Sequence, residues 1–140
     1  MIPGQQDSQQ IAAIIEQYRR GFATLDVAAL TGIWDHDYDQ IIYIAQEMAQ
    51  PVQGWAGVER YYQRVAGLLD QVKTMEVSDV SIDVLGAVAY ACLSFHFEGE
   101  VNERSHIADG RVTFLLRRTR EAWKVIHYHE SRPGDRLGEA

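Results

Sequence analysis

Cysteine is nearly missing from this 140-residue chain, and Cys92 stands alone. One cysteine excludes an internal disulfide and cannot by itself build a zinc site. Long apolar runs are missing too. The longest, Val84 to Leu93, contains Gly86 and is roughly half the ~18 residues at which a membrane-spanning helix is considered. Basic charge is scarce: 13 Lys and Arg stand against 20 Asp and Glu, for a formal charge of −7. That balance favours solubility and argues against broad contact with a phosphate backbone. The opening residues, Met1 to Asp7, have neither the basic start nor the apolar core of a secretion signal. A Gly-rich phosphate loop, G-x-S-x-G and H-E-x-x-H are also absent. These absences lead us to expect a cytoplasmic protein with no cofactor, no metal, no nucleic-acid partner and no membrane partner.

What remains is ordinary for one globular domain: 46% apolar and 24% charged residues. A chain of this length buries about two-thirds of its unfolded surface and needs no staple. Residues 1–140 read as a single domain, with 1–7 and 132–140 as loose termini. No repeat, linker or low-complexity tract divides it.

The first half has helical spacing. Asp7 is placed to cap a helix, with Gln10 completing a capping-box pattern. Ile11, Ile14, Ile15, Tyr18 and Phe22 then form one apolar stripe. Asp26 caps a second, short helix that buries Val27, Leu30, Ile33 and Trp34. A polar loop, Asp35 to Asp39, leads to a short strand from Ile41 to Ala45. Gly54 starts a third helix carrying Val58, Tyr61, Tyr62, Val65, Leu68 and Leu69. From Val72 the period becomes two. Met75 and Val77 have opposite parity to Val80, Ile82 and Val84, which predicts a bulge near Ser78-Asp79. Strands follow over 87–98, 111–118 and 123–131, with 99–109 read as including a polar turn. Helices first and an antiparallel meander after them make an α+β fold, with a curved sheet around the helices and a cavity between.

Several side chains invite chemistry. His127 and His129 are two apart on a strand, so they share a face at ~7 Å. Such imidazoles can move a proton near neutral pH or contact a ligand. A metal would need a third ligand, for which His96 is available. The simpler reading packs both into the sheet or a dimer face. By parity, Trp123, Val125, His127 and His129 share one face and Lys124, Ile126, Tyr128 and Glu130 the other, unless a bulge intervenes. The histidines and Glu130 then cannot line one pocket. Glu47 lies near Tyr43 and reads first as an exposed, ordinary glutamate; the alternative is a carboxyl half-buried among aromatics, which has a raised pKa. Tyr18, Trp34, Tyr43, Trp55, Tyr61, Tyr62 and Tyr90 suit the wall of a mostly apolar pocket, or simply a core. The acidic loop lacks the spacing of a calcium site and reads as solvated turns. Arg111, Arg117, Arg118 and Arg120 are expected to pair with surface carboxylates. Cys92 is expected to pack as a small hydrophobe.

The ending Trp123-Lys124-Val125-Ile126-His127-Tyr128-His129-Glu130-Ser131 resembles a W-x-[IV]-x-H-x-H-x-S pattern. It follows Leu116-Arg117-Arg118-Thr119, and Pro51-Val52-Gln53-Gly54-Trp55 precedes a helix with Tyr61 and Tyr62. Over residues 8 to 131 this resembles the nuclear transport factor 2-like superfamily, in particular its SnoaL-like branch. The resemblance implies a cone-shaped α+β barrel: a curved antiparallel sheet wrapped around three N-terminal helices and enclosing a pocket. It also implies a homodimer through the open sheet face. Members range from ketosteroid isomerases, cyclases and dehydratases to non-catalytic scaffolds such as the association domain of calcium/calmodulin-dependent kinase II. That association domain has an arginine where Glu130 stands and another near Thr113, so its anion pocket does not transfer. For the isomerase set, Tyr18 stands for the first-helix tyrosine. Residues 41–45 hold no carboxylate, with Glu47 nearest, and 88–97 hold none.

The expected function is to bind a small apolar or mixed-polarity molecule in the cone. Tyr18, Trp34, Tyr43, Glu47, Trp55, Tyr62, His96, His127 and His129 are the candidate ligand contacts. The alternatives are a cofactor-independent isomerase, dehydratase or cyclase, with His127, His129, Glu47 and Tyr18 as catalytic candidates, and a non-catalytic association module.

Overall fold

The computed structural model describes residues 4–134. Three helices, α1 (Gln5–Thr24), α2 (Val27–Gly32) and α3 (Trp55–Leu68), combine with six strands. The strands are β1 (Ile42–Ile44), β2 (Val52–Gln53), β3 (Gln71–Leu85), β4 (Val88–Val101), β5 (Arg104–Arg118) and β6 (Trp123–Ser131). They form one curved, unclosed sheet in the order β2-β1-β6-β5-β4-β3. Strands β3 to β6 are an antiparallel meander, while β1 lies parallel to β6.

The helices sit where their apolar stripes predict. Ile11, Ile15 and Tyr18 of α1 are buried, and Ile14 and Phe22 pack at the edge of the core. Asp26 caps α2 by accepting the Ala29 N–H at 3.1 Å. Gly21 lets α2 approach, because a Cβ there would lie 2.7 Å from the Leu30 side chain. Asp7 corrects the expected helix start. The helix begins at Gln5 after Gly4, so residues 5–7 are helical rather than loose, and Asp7 caps nothing. Its carboxylate instead holds Arg118 at 2.8 and 2.9 Å and accepts the Trp123 indole N–H at 3.1 Å. Of the termini read as loose, residues 1–3 and 135–140 lie outside the described residues.

Strand register bends the sheet. The bulge expected near Ser78-Asp79 is present: pairing slips between Ser78 and Ser81, and Asp79 takes a φ of 54°. A second slip falls between Val72 and Thr74. The polar stretch 99–109 corrects a sequence expectation. The turn is confined to Asn102 and Glu103, both at positive φ, and β5 already begins at Arg104. That end of β5 is exposed, so no apolar alternation marked it as strand.

A third irregularity decides the site. Leu116 pairs with Val125, but Leu115 pairs with His127, leaving Ile126 as an extra residue in β6. This bulge resets the alternation. Trp123 and Val125 point inward before it, and Tyr128 and Glu130 point inward after it. The parity that put Trp123, Val125, His127 and His129 on one face is thereby overturned. Trp34, Trp123, Tyr43, Tyr62 and Tyr128 are among the largest fully buried side chains. Burying such a group contributes ~1.5–3 kcal/mol relative to leaving it in water.

Candidate functional site

The inner face of the sheet and the helices leave a cavity of about 790 Å³. Helix α1 contributes Tyr18 and Phe22, and α3 contributes Tyr61 and Val65. The sheet adds Met75, Phe95, Phe97 and Glu130, and the turn after β1 adds Gln46 and Glu47. Gly110 keeps this space open. It faces Phe95 across β4 and β5, and a Cβ there would fall 2.5 Å from the Phe95 ring. The ring therefore rests on the sheet where any other residue would lift it into the cavity.

The polar end of the cavity is a set of carboxyls and tyrosines. Because β1 runs parallel to β6 with Ile44 opposite His129, the turn after β1 arrives beside Glu130. Glu130 accepts the Gln46 backbone N–H at 3.1 Å and the Tyr128 hydroxyl. Tyr128 and Tyr18 are joined hydroxyl to hydroxyl at 2.9 Å. A hydroxyl has one proton. With the Tyr128 proton given to Glu130, Tyr18 must donate to Tyr128. Tyr61 donates to Glu47 in the same way.

Burial raises the pKa of Glu130 to about 7, and the neighbouring Glu47 charge adds to the rise against the lowering effect of its two hydrogen bonds. Burial also holds Tyr18, Tyr61 and Tyr128 well above the usual phenol value, so all three keep their protons at neutral pH. Protonating Glu130 allows the chain to reverse. The carboxyl then donates to Tyr128, Tyr128 to Tyr18, and the Tyr18 O–H becomes free to donate into the cavity. The arrangement can thus present an acceptor at Glu130 or a donor at Tyr18, according to one proton.

The candidate residues separate into four groups. Tyr18 and Glu47 line the cavity. Glu47 is exposed, as its ordinary reading has it, and accepts from Tyr61; the carboxyl with a raised pKa at this mouth is Glu130. Trp34, Tyr43 and Tyr62 lie in the core behind the cavity wall. The Trp34 indole donates to Tyr62 at 2.9 Å, and the Tyr43 ring stacks on Tyr128 at 4.3 Å. Trp55 stacks on His36 at 3.6 Å, away from the cavity. His96, His127 and His129 lie on the outer face. His96 meets Asp109 at 2.6 Å, and that carboxylate raises its pKa. The His127 and His129 rings are 6.4 Å apart; partial burial and then the His129 charge lower the His127 pKa. Among the described residues, no group of three or more His, Cys, Asp and Glu is placed to hold a metal ion.

Two other expectations change. Asp35 is buried rather than solvated: it accepts the Asp37 N–H at 3.0 Å and pairs with Arg117. Of the four arginines, Arg117 and Arg118 have carboxylate partners, whereas Arg111 bonds Ser131 and the Arg132 carbonyl. Cys92 is half-buried on the outer face beside Thr113. Glu130 is the cavity residue that sequence reasoning missed. No sequence signal marked it: that Trp123-x-Val125 and Tyr128-x-Glu130 are both inward pairs, with one extra residue between them, is seen only in the strand register.

The profile of the SnoaL-like domain matches residues 11–135. No curated protein matches the chain in sequence. Among solved structures, a nuclear transport factor 2-like superfamily protein from Salmonella enterica is 20% identical, with a TM-score of 0.79. The match covers 96% of this chain and 97% of that one. A candidate dehydratase of the same family from Streptomyces avermitilis is 16% identical, with a TM-score of 0.80 over 92% of this chain and 98% of that one. A candidate kinase II association domain from Thiobacillus denitrificans is 16% identical, with a TM-score of 0.74 over 88% and 94%. At these identities the likeness is one of fold.

Proposed function

We propose, for a chain that belongs to the SnoaL-like domain family, that it binds a small, largely apolar molecule in the cone and moves a proton on it without a cofactor. The observation that carries this reading is Glu130: a carboxyl buried at the end of an apolar cavity, with a pKa of about 7 and a tyrosine chain attached. A group titrating near the working pH is the most effective proton carrier. Ionised Glu130 takes a proton from the ligand. Its protonated form lets Tyr18 donate a hydrogen bond to the oxygen that gains charge. Glu47 sits at the mouth as a second carboxyl. This makes isomerisation, dehydration or cyclisation the reaction type, and a neighbour of similar fold is named as a candidate dehydratase. The cavity volume lies within the ~300–1,000 Å³ usual for small-molecule sites.

The proposal includes a homodimer through the outer face of the sheet, where Cys92, Thr113, Leu115 and His127 are half-buried. It also places the protein in the cytoplasm, which the single unpaired cysteine suits.

The test is hydrogen–deuterium exchange at the α-carbon of a neutral bicyclic ketone, 2-tetralone, followed by proton NMR. We expect the protein to accelerate exchange, and Glu130→Gln to reduce the acceleration by ~10²-fold or more. Equal rates for the two proteins would remove Glu130 from the chemistry. Retention of an organic adduct in native mass spectrometry without any accelerated exchange would support binding alone.

A further inference from the structure

We propose that the cavity selects a cationic ligand: a flat apolar molecule carrying a protonated amine. This rests on reading the cavity as the binding site and adds the charge of what enters it.

The argument is a count of donors and acceptors. Two carboxyl groups, Glu47 and Glu130, face the polar end. The protons around them are committed. Tyr61 gives its proton to Glu47, Tyr128 gives its proton to Glu130, and Tyr18 gives its own to Tyr128. The Gln46 backbone N–H is spent on Glu130 as well. With both carboxyls ionised, this end offers acceptors and negative charge. The Gln46 side-chain amide, which reaches over Gly110, is a neutral donor and does not offset two carboxylates.

Charge then separates the ligand classes. A carboxylate or phosphate would face the buried Glu130 across poorly polarisable walls, where repulsion is weakly screened, with the exposed Glu47 adding a screened charge of the same sign at the mouth. A neutral carbonyl finds a tyrosine donor only when Glu130 holds a proton. An ammonium brings the donors that the carboxyls lack, and charge-assisted bonds of this kind are the strong ones. The rings of Tyr18, Phe22, Phe95 and Phe97 complete the match, since a cation is attracted to aromatic faces; the Tyr61 ring already has the Arg64 guanidinium at 5.7 Å. His106, Asp109 and Arg132 stand at the rim, exposed and screened by salt as Glu47 is, so the buried Glu130 carries most of the discrimination. An ammonium beside Glu130 also favours its ionised form, so binding releases a proton wherever Glu130 is partly protonated beforehand.

Three naphthalene probes of one shape test this: 2-naphthylmethylamine, 2-naphthalenemethanol and 2-naphthoate. Their affinities are compared by titration calorimetry at about pH 8, where the amine is charged. We expect the amine to bind roughly tenfold or more tighter than the alcohol, and the carboxylate to bind weakest. Glu47→Gln and Glu130→Gln should each bring the ratio of amine to alcohol affinity towards one. Naphthoate or the alcohol binding as tightly as the amine overturns the cationic class. If the alcohol binds best while Glu130→Gln still abolishes ketone exchange, the proton-transfer function stands and this inference alone falls. If none of the three binds, this inference falls, and ketone exchange alone decides the proton-transfer function.

Discussion

Glu130 shows what one side chain gains and loses by burial. Its ordinary pKa is 4.5, and in the folded protein it is about 7. The folded protein therefore holds a proton that the unfolded chain has released between these values. Stability should fall as pH rises through that window, by about 3 kcal/mol, and level off above it. Glu130→Gln cannot titrate, and its amide oxygen can still accept one of the two hydrogen bonds. Denaturant unfolding at about pH 5 and pH 8 should show the loss in the native protein and not in the variant. The raised pKa of His96 and the lowered pKa of His127 add pH dependences of opposite sign. The difference between the two proteins removes both. An equal pH dependence would mean that Glu130 is solvated.

The bulge at Ile126 carries the same point to the scale of a strand. One extra residue returns Tyr128 and Glu130 to the side that Trp123 already occupies. Deleting Ile126 should expose either the first pair or the second, a register error that moves a whole set of side chains to the wrong face. We expect loss of more than ~4 kcal/mol and of the near-UV circular dichroism of the packed aromatics. Ile126→Ala keeps the count and should cost only ~1–2 kcal/mol, because the half-buried side chain leaves a small void. A folded deletion variant with intact aromatic signals would show that the bulge is dispensable. The first helix is tied down differently. Its N-terminal turn is held by Asp7 on Arg118 and Trp123, with the Arg118 guanidinium 4.6 Å above the indole ring. The Arg118 hydrogen bond, with help from Trp123, lowers the Asp7 pKa, so this contribution is present above the ordinary aspartate value and is lost in acid.

At the scale of the molecule, the sheet has two unlike faces. The inner face is packed against helices except at the cavity. The outer face carries half-buried Leu115, Thr113, Cys92 and His127, and among the described residues no helix lies over them. We expect sedimentation to give twice the 15.9 kDa chain mass. Leu115→Glu, which places a charge in the middle of that face, should give a folded monomer. A native protein that sediments as a monomer at micromolar concentration would remove the homodimer.

The amino-acid sequence by itself determined the elements and the fold. Helical stripes, a change of period at Val72, the Asp26 cap and the closing W-x-V-x-H-x-H-x-S pattern are local signals, readable because apolar side chains repeat at the spacing of the element that buries them. The bulge at Ser78 was legible for the same reason, since valines on both sides of it recorded the change of parity. The site was legible only in part. Tyr18 and Glu47 line the cavity, whereas His127 and His129 lie on the outer face, where the simpler reading of a pair packed into the sheet or a dimer face puts them. Glu130 was missed because the Ile126 bulge left no apolar mark of its own: isoleucine and histidine are equally acceptable on a half-buried face. Only the tertiary structure decided which carboxyl is buried, because burial depends on β1 arriving parallel to β6 from eighty-odd residues away. Alternation along a strand states that two faces differ, and packing against the other elements decides which face becomes the inside.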